Sequence, residues 1–249
     1  MRLTIFLFFI SINLNTMATD FEILSQDFLY AVRVGDDYKD FEMQLAEISP
    51  EELNISLDSE NKKKAFWLNI YNANIQIKAK EKPEWISEKR SKFFSEKWIQ
   101  IAGKDLSFDN IEHGILRKSN WKYGMGYIKT WFPSSYEKTF RMESVDYRIH
   151  FALNCGAAGC PPIAFYSSEY LEEQLVTATG SFLDLNSKYN EDDNTVEVSQ
   201  ILSWFKGDFG GKKGIITILK KHKIVPENIK PILTFKTYDW TLSLSNYID

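Results

Sequence analysis

The sequence predicts an α+β (mixed α/β) fold in which helices pack on a small, mainly antiparallel sheet. Apolar residues recur at helical spacing in several long segments, and shorter segments alternate apolar and polar residues as strands do. No internal repeat or linker divides the 249-residue chain, and its 44% hydrophobic residues can bury one sizeable core. We therefore expect one domain over residues 19–249.

Residues 1–18 have the outline of a secretory signal peptide. Arg2 precedes the apolar run Leu3–Ile12, and Ala18 is a small residue of the kind that flanks a cleavage point. The alternative is a chain that begins at Met17, so an exported and a cytoplasmic protein both remain open. No later segment approaches the roughly 20 apolar residues that cross a bilayer, and we expect no integral membrane segment in the mature chain.

The first two helices have clear ends. Helical spacing of apolar residues over Phe21–Ala31 predicts a helix that Gly35 closes in the left-handed conformation. A second helix begins at Ser49, which can cap it, because Pro50 suits the first turn and Glu52 can reach back to the cap.

The next predicted helix, Lys64–Lys80, is apolar on two faces, which indicates that it lies buried between other elements. Three amides, Asn69, Asn72 and Gln76, form a stripe between those faces. An unsatisfied buried amide costs roughly 1–3 kcal/mol, so each must find a partner. Either these amides bond neighbouring backbone and fix the helix, or they line or support a site, and we include Asn69 and Asn72 as candidate supporting residues.

Ionisable side chains share one side of a further helix, predicted to begin near Ser107. Asp109, His113 and Arg117 are four residues apart, and Glu112 adjoins the imidazole. Residues at this spacing meet on a helix surface, so the carboxylates can hold the imidazole. The group is either a catalytic acid–base pair or a structural network, with Arg117 as a candidate supporting residue.

The segment 148–162 concentrates the residues suited to chemistry. Its first half, Arg148–Asn154, alternates apolar and polar side chains, which predicts a half-buried strand with His150 on the less apolar face. Its second half, Cys155–Pro162, holds small residues that permit tight turns and uncovered N–H groups, as an anion or oxyanion cradle requires. Arg148 and Asn154 are candidate binding or supporting residues.

Two thiols, Cys155 and Cys160, lie close in sequence to His150. A thiolate beside an imidazolium, with backbone N–H groups to hold an oxyanion, is suited to nucleophilic acyl transfer. The alternatives are unreactive buried thiols and a disulfide or redox pair, although the four-residue gap is not the CxxC spacing of thioredoxins.

A metal site is a further alternative, since His113, His150, Cys155 and Cys160 supply four possible zinc ligands. Their spacing matches neither paired CxxC knuckles nor the HxE and PCxxC signature of zinc deaminases. We therefore assign no residue as a metal ligand and expect no cofactor.

The last third of the chain is predicted to be mainly scaffold. Its predicted elements are a helix over 171–182 capped by Ser167 or Ser168, a strand at Val196 and Val198, a helix over 215–222, and strands over 232–235 and 238–244. Glycines at 207, 210 and 211 mark a loop around Asp208. Asp208 could orient an imidazole, but a surface carboxylate is the preferred interpretation.

The charge pattern argues against nucleic acid as a partner. The net charge is -4, and Lys and Arg are spread among Asp and Glu. No basic field therefore gathers phosphates. We expect a small-molecule or peptide substrate, whose identity the sequence leaves open.

Three strings carry a family resemblance: AFWLNIYNA from Ala65, LSFDNIEHGILR from Leu106, and RIHFALNCG from Arg148, the last followed by Cys160 and two prolines. In these strings, over about residues 62–211, the chain resembles the domain of unknown function 547 (DUF547) family. The wider chain, including residues 203–209, resembles the bacterial stand-alone members.

The resemblance implies an architecture like that of cysteine peptidases or transglutaminases. By that analogy the nucleophile is Cys155 or Cys160. The base is His150 or His113, and the orienting carboxylate is Glu112 or Asp109. We therefore expect a thiol-dependent hydrolase or acyltransferase acting on an amide or ester. The alternative is a non-catalytic binding module with structural cysteines and a cleft beside the Asn69–Asn72 helix.

Overall fold

The computed structural model describes residues 19–248. It combines helices with two small sheets, which confirms the predicted fold class. The predicted signal peptide, residues 1–18, lies outside the described residues. Within the described range, no helix is long and apolar enough to cross a membrane.

Helices make up most of the regular structure. Those before the first sheet are α1 (Phe21–Val34), α2 (Lys39–Glu47), α3 (Pro50–Ser56), α4 (Glu60–Glu81), α5 (Pro83–Glu88) and α6 (Arg90–Ser95). Those after it are a π-helix (Asn110–Leu116), α7 (Ser135–Phe140), a 3₁₀ helix (Tyr147–Phe151), α8 (Leu171–Asn186), α9 (Ile201–Trp204) and α10 (Gly211–Lys221).

The strands form two small sheets. In the first, β1 (Ile99–Ile101) pairs antiparallel with β2 (Lys104–Leu106). In the second, β3 (Lys188–Asn190) pairs antiparallel with β4 (Thr195–Val198), which pairs parallel with β5 (Ile232–Phe235). The pairing is mainly antiparallel, as predicted, with a parallel pair between β4 and β5.

The predicted ends of α1 and α3 are confirmed. Gly35 follows α1 with a φ of 79°, a left-handed conformation that a residue without Cβ adopts without strain. At α3 the Ser49 hydroxyl accepts a hydrogen bond from the Glu52 backbone, and the Glu52 carboxylate accepts one from the Ser49 backbone. Asp20, which the sequence analysis did not single out, caps the start of α1.

Helix α4 lies at the centre of the larger of two apolar clusters. Almost every residue from Lys64 to Ala79 is buried, as the two apolar faces predicted. Tyr71 packs edge-on against Phe108 of the segment that leads into the π-helix, with ring centroids 5.2 Å apart. The second cluster lies between α8, α9, α10 and β4.

The prediction of a strand over Arg148–Asn154 was wrong. Residues Tyr147–Phe151 form a 3₁₀ helix, whose first turn Asp146 caps. The apolar residues of the pattern divide between the two clusters, since Ile149 is buried in the larger one and Phe151 in the second. Residues 149–154, polar ones included, are all buried, so the alternation does not mark a solvent-facing side.

Two further local predictions were wrong, and the other predicted elements of this part of the chain were confirmed. Within the described chain, residues 238–244 form no strand; they make an isolated bridge between Leu242 and Ala157 and backbone hydrogen bonds to residues 156–159. Helix α8 begins at Leu171 without a side-chain cap, since the Ser168 hydroxyl bonds Glu22 instead. The strand at Val196 and Val198, the last helix and the strand over 232–235 are present as β4, α10 and β5, and α8 itself covers the predicted 171–182.

Candidate functional site

One cavity of about 310 Å³ brings together four of the predicted catalytic residues, Glu112, His113, His150 and Cys155. Its other polar lining residues are Arg90, Ser91, Asp109 and Lys122. Its apolar and aromatic lining residues are Tyr71, Phe94, Tyr123, Leu153, Ile201, Trp204, Phe205, Tyr238 and Trp240. The remaining predicted residues, which lie outside the lining, are Cys160, Asn69, Asn72, Asn154, Arg117 and Arg148.

Three aromatic side chains pack together along one wall of the cavity. The ring centroids of Trp204 and Tyr238 are 4.9 Å apart, and those of Tyr238 and Trp240 are 4.8 Å apart. The Arg90 guanidinium lies 3.6 Å from the centroid of the Trp240 ring. The wall therefore combines broad apolar surface with a cation, which suits a ligand that carries a ring or an acyl chain.

His113 is held by charged groups at the two ends of the π-helix, as the spacing of Asp109, His113 and Arg117 predicted. Its Nδ1 lies 2.9 Å from Arg117 Nη1. Because a guanidinium only donates, Nδ1 must accept, and Nε2 carries the hydrogen. That nitrogen faces Asp109 Oδ1 at 3.5 Å, while Glu112 accepts a hydrogen bond from Tyr71 Oη at 3.4 Å.

Arg117 lies behind the cavity lining and connects His113 to Asp208, which in turn bonds His150. Its side chain is fully buried, and its Nε donates to Asp208 Oδ2 at 2.6 Å. Its guanidinium carbon also lies 4.5 Å from the centroid of the Phe205 ring. Arg117 is therefore a positioning residue that acts through His113 and Asp208, since it does not reach the cavity itself.

His150 and Asp208 form a buried dyad. His150 Nε2 lies 2.8 Å from Asp208 Oδ2, and the imidazole stacks on Phe205 at 4.0 Å between centroids. Burial alone would raise the pKa of Asp208, but hydrogen bonds from His150 and Arg117 outweigh it and lower the pKa to about 2. Burial lowers the pKa of His150 below its ordinary value.

The ionised Asp208 fixes the tautomer of His150. Because a carboxylate only accepts, His150 Nε2 carries the hydrogen. Within residues 19–248, His150 Nδ1 has no hydrogen-bond partner, and its ring lines the cavity. The free Nδ1 lone pair is thus a base held in place by Asp208.

The interpretation of Asp208 as a surface carboxylate was wrong, because its side chain is 1% exposed. Two loops cross closely there, with the Gly207 N–H donating to the Met125 carbonyl at 2.7 Å. A Cβ on Gly126, which has a φ of 86°, would lie 2.5 Å from the Asp208 nitrogen. The Asn120 amide also donates to Asp208 Oδ1 at 2.8 Å.

Cys155 and Cys160 are joined in a disulfide, which is one of the alternatives that the sequence left open. Cys155 lines the cavity, whereas Cys160 is 4% exposed and lies behind it. The Tyr238 hydroxyl lies 3.2 Å from Cys155 Sγ and 3.3 Å from Cys160 Sγ. In this form neither cysteine carries a free thiol.

The expected cradle of uncovered N–H groups is not present in the disulfide form. The N–H groups of Cys155 and Ala157 point at Cys160 Sγ, at 3.0 and 3.2 Å. The Gly156 N–H donates to Asn154 Oδ1, while those of residues 158 and 159 donate to carbonyls of the segment 239–241. The expectation was wrong because the C-terminal segment pairs with this turn, which sequence spacing could not show.

The side-chain amides of α4 bond the backbone of neighbouring segments, and Asn72 thereby supports the turn that carries Cys155. Asn72 donates to the Ala152 carbonyl at 3.0 Å and accepts from the Asn154 N–H at 2.9 Å. Asn154 in turn donates to the Pro161 carbonyl at 2.7 Å, which closes the turn. Asn69 makes the equivalent pair of bonds to the backbone of Tyr166. Both amides therefore fix backbone, and neither lines the cavity, although Asn72 supports the turn that carries Cys155.

Arg148 belongs to a separate ion-pair group. Its guanidinium bonds Asp146 at 2.7 Å and Glu172 at 2.7 Å. The Lys64 ammonium also reaches Asp146, at 2.8 Å. The prediction that Arg148 binds a ligand has no support in this geometry, because its donors already meet carboxylates outside the cavity.

Several cavity residues were missed by the sequence analysis. Tyr238 and Trp240 were assigned to a strand and Trp204 was not singled out, although an aromatic cluster near the chain end is itself a signal. Arg90 carries no signal, since a single arginine on a short helix is common. Within residues 19–248, no group of three His, Cys, Asp or Glu is arranged to hold a metal ion.

A family model described as "Protein of unknown function, DUF547" matches residues 55–183 of the chain. The matched range contains Glu112, His113, His150 and both cysteines, whereas Asp208 and Tyr238 lie outside it. No curated protein and no solved structure matches the chain.

Proposed function

This chain belongs to the DUF547 family of proteins of unknown function, and we propose that it is a thiol-dependent hydrolase or acyltransferase that acts on an amide or ester. The nucleophile is Cys155 after reduction of its disulfide by a low-molecular-weight thiol. The supporting observation is that Cys155, His150, His113 and Glu112, which come from two separate segments of the chain, share one cavity. A relation to cysteine peptidases is part of this proposal.

The proposed base is His150. Asp208 holds its Nε2–H at 2.8 Å and leaves Nδ1 free, the arrangement that orients an imidazole in hydrolytic triads. His150 Nδ1 takes the thiol proton, the Cys155 thiolate attacks the carbonyl carbon, and the proton returns to the departing amine or alcohol. Water, deprotonated by His150, then cleaves the thioester and restores the thiolate.

Tyr238 is the proposed donor to the oxyanion. Its hydroxyl lies 3.2 Å from Cys155 Sγ, close to where a carbonyl oxygen would sit during attack. Burial raises the pKa of Tyr238 far above its ordinary value, so the hydroxyl keeps its hydrogen near neutral pH. This role replaces the backbone cradle, whose N–H groups are already bonded.

The walls of the cavity favour a substrate with an aromatic or apolar acyl group. Trp204, Tyr238 and Trp240 present flat surface, and Arg90 offers a cation for a carboxylate or an amide oxygen. A volume of about 310 Å³ suits a small molecule or one side chain of a peptide.

The test is ester hydrolysis by the reduced protein. We expect reduced wild type to hydrolyse a p-nitrophenyl ester of an aryl acid with an initial burst of one equivalent. Cys155→Ser should abolish the burst, and His150→Ala should slow acylation by about 10²–10⁴-fold. Ser91→Ala, a small change elsewhere on the cavity wall, is the matched control. Hydrolysis that is unchanged in Cys155→Ser would refute the proposal.

The second candidate is a binding module, which the disulfide and the occupied N–H groups favour. It predicts that the oxidised protein binds aryl carboxylates as well as the reduced protein does and never turns an ester over. Quenching of Trp204 and Trp240 fluorescence would measure this binding. Loss of quenching in Arg90→Ala, without any burst in the reduced wild type, would favour binding over catalysis.

We also propose that residues 1–18 are a secretory signal. Disulfides persist in oxidising compartments, so an exported protein would hold the Cys155–Cys160 bond until it met a reducing thiol.

A further inference from the structure

The environment of the disulfide differs sharply between its two sulfurs. Cys155 is partly exposed and lines the cavity, whereas Cys160 is 4% exposed. A thiol that enters the cavity therefore meets Cys155 first. In thiol–disulfide exchange, the sulfur that is attacked becomes part of the mixed disulfide, and the other sulfur departs as a thiolate.

Three hydrogen-bond donors converge on the buried sulfur. The N–H groups of Cys155 and Ala157 lie 3.0 and 3.2 Å from Cys160 Sγ, and the Tyr238 hydroxyl lies 3.3 Å from it. A disulfide sulfur is a weak acceptor, so these hydrogen bonds contribute little free energy in the oxidised state. Hydrogen bonds from the same donors to a thiolate would contribute more, because hydrogen bonds to a charged acceptor are about twice as strong.

The donors are held in place by the rest of the fold. Asn154 bonds both the Gly156 N–H and the Pro161 carbonyl, and Asn72 fixes the N–H of Asn154. Bonds from residues 158 and 159 to the segment 239–241 close the other side of the turn and join it to the segment that carries Tyr238. Stabilisation of the departing thiolate therefore requires no rearrangement of the turn.

From this asymmetry we infer a further activity: thiol–disulfide exchange at Cys155, with Cys160 as the stabilised leaving group and a small thiol or a peptide thiol as the partner. An incoming thiolate bonds to Cys155 Sγ, the Cys155–Cys160 bond breaks, and its electron pair stays on Cys160. A second thiolate then attacks the incoming sulfur, so that Cys155 departs as a thiolate and two external thiols leave as a disulfide. In total two external thiols are oxidised and one protein disulfide is reduced.

The inference goes beyond acyl transfer, because exchange needs neither His150 nor an ester. It also supplies the reaction that would free Cys155 for the proposed hydrolysis. The two proposals can therefore fail separately.

The test follows the redox state of the folded protein with reduced and oxidised glutathione, using alkylation and mass spectrometry to count thiols. We expect native wild type to equilibrate with millimolar glutathione while its circular dichroism stays unchanged. Tyr238→Phe should slow reduction by roughly three- to tenfold, because the leaving thiolate loses a donor. Tyr166→Phe removes another buried tyrosine hydroxyl, one that has no hydrogen-bond partner among the described residues, and should leave the rate unchanged.

Two cysteine variants identify the attacked sulfur. Cys160→Ser should take up one glutathione from oxidised glutathione and hold it on Cys155, whereas Cys155→Ser should leave Cys160 unmodified until the protein unfolds. A wild-type disulfide that resists glutathione until denaturant is added would overturn the inference. So would equal modification of both variants. Neither measurement uses an ester, so both results can be interpreted even if the protein hydrolyses no ester.

Discussion

At the scale of single residues, the cavity floor depends on one buried cation. Arg117 has no exposed side-chain surface, and it joins Asp208 at 2.6 Å to His113 at 2.9 Å. A buried ion pair adds little net stability, but removing one partner leaves a charge unpaired in the interior. We therefore expect substitutions of Arg117 and Asp208 to have coupled effects on the free energy of unfolding.

We predict that Arg117→Met lowers the free energy of unfolding by about 3–5 kcal/mol, because Asp208 keeps a buried charge without its main partner. Urea unfolding followed by circular dichroism measures the change. Adding Asp208→Asn to Arg117→Met should restore part of the loss. Full additivity of the two changes would contradict the coupling.

Asp208 is also predicted to stay ionised in mild acid. Its pKa of about 2 lies below the ordinary 3.8, so its contribution, on the order of 2 kcal/mol, is complete above about pH 4 and is lost as the pH falls through 2. Carboxyl carbon chemical shifts at pH 3 should show Asp208 still mainly ionised in the folded protein. A midpoint near 3.8 would show that the hydrogen bonds from His150 and Arg117 do not hold the charge.

At the scale of elements, short irregular segments position the site. His150 lies on a 3₁₀ helix, His113 on a π-helix and Cys155 on a turn, while α4 supplies the amide that fixes this turn. The Asp208 loop crosses residues 125–127 at backbone contact distance. The crossing therefore depends on residues without Cβ.

We predict that Gly126→Ala destabilises the protein more than Gly103→Ala does. Both glycines have positive φ, so both changes carry the same type of backbone strain, about 1 kcal/mol. A Cβ at Gly126 would also collide with Asp208, whereas a Cβ at Gly103 would lie more than 4 Å from every atom of the described residues other than Gly103 and its two chain neighbours. Thermal unfolding of the two variants measures the difference. Equal melting temperatures would show that the loops separate without cost.

At the scale of the whole molecule, both proposals require a protein that stays folded when its disulfide is reduced. The bond closes a loop between residues only five positions apart. Chain entropy therefore assigns it only about 2 kcal/mol, less than for the longer loops of small disulfide-rich domains. Two large apolar clusters hold the rest of the fold without it.

We accordingly predict that reduction lowers the free energy of unfolding by about 2 kcal/mol and leaves the far-UV circular dichroism spectrum unchanged. Urea titrations with and without reductant make the comparison, and Cys155→Ala/Cys160→Ala is the control that cannot reoxidise. Global unfolding on reduction would remove the basis for a reactive Cys155.

Features that depend on near neighbours could be predicted from residue type and spacing. The cap at Ser49, the left-handed Gly35 and the buried α4 follow from spacing and residue type, and Asp109, His113 and Arg117 meet because a helix brings residues four apart together. The strings around His113, His150 and Cys155 marked the family and most of the polar cavity lining.

Features that depend on distant contacts became evident only in the three-dimensional packing. Asp208 lies 58 residues from His150 and 91 from Arg117, so no local pattern distinguished it from a surface carboxylate. The alternation around His150 predicted a strand because sequence periodicity does not show that the polar residues of the pattern, such as His150 and Asn154, are buried as well. The pairing of the cysteine turn with residues 239–241 filled its N–H groups and placed Tyr238 against both sulfurs. Long-range packing therefore set the environment of the disulfide, and with it the chemistry that we propose.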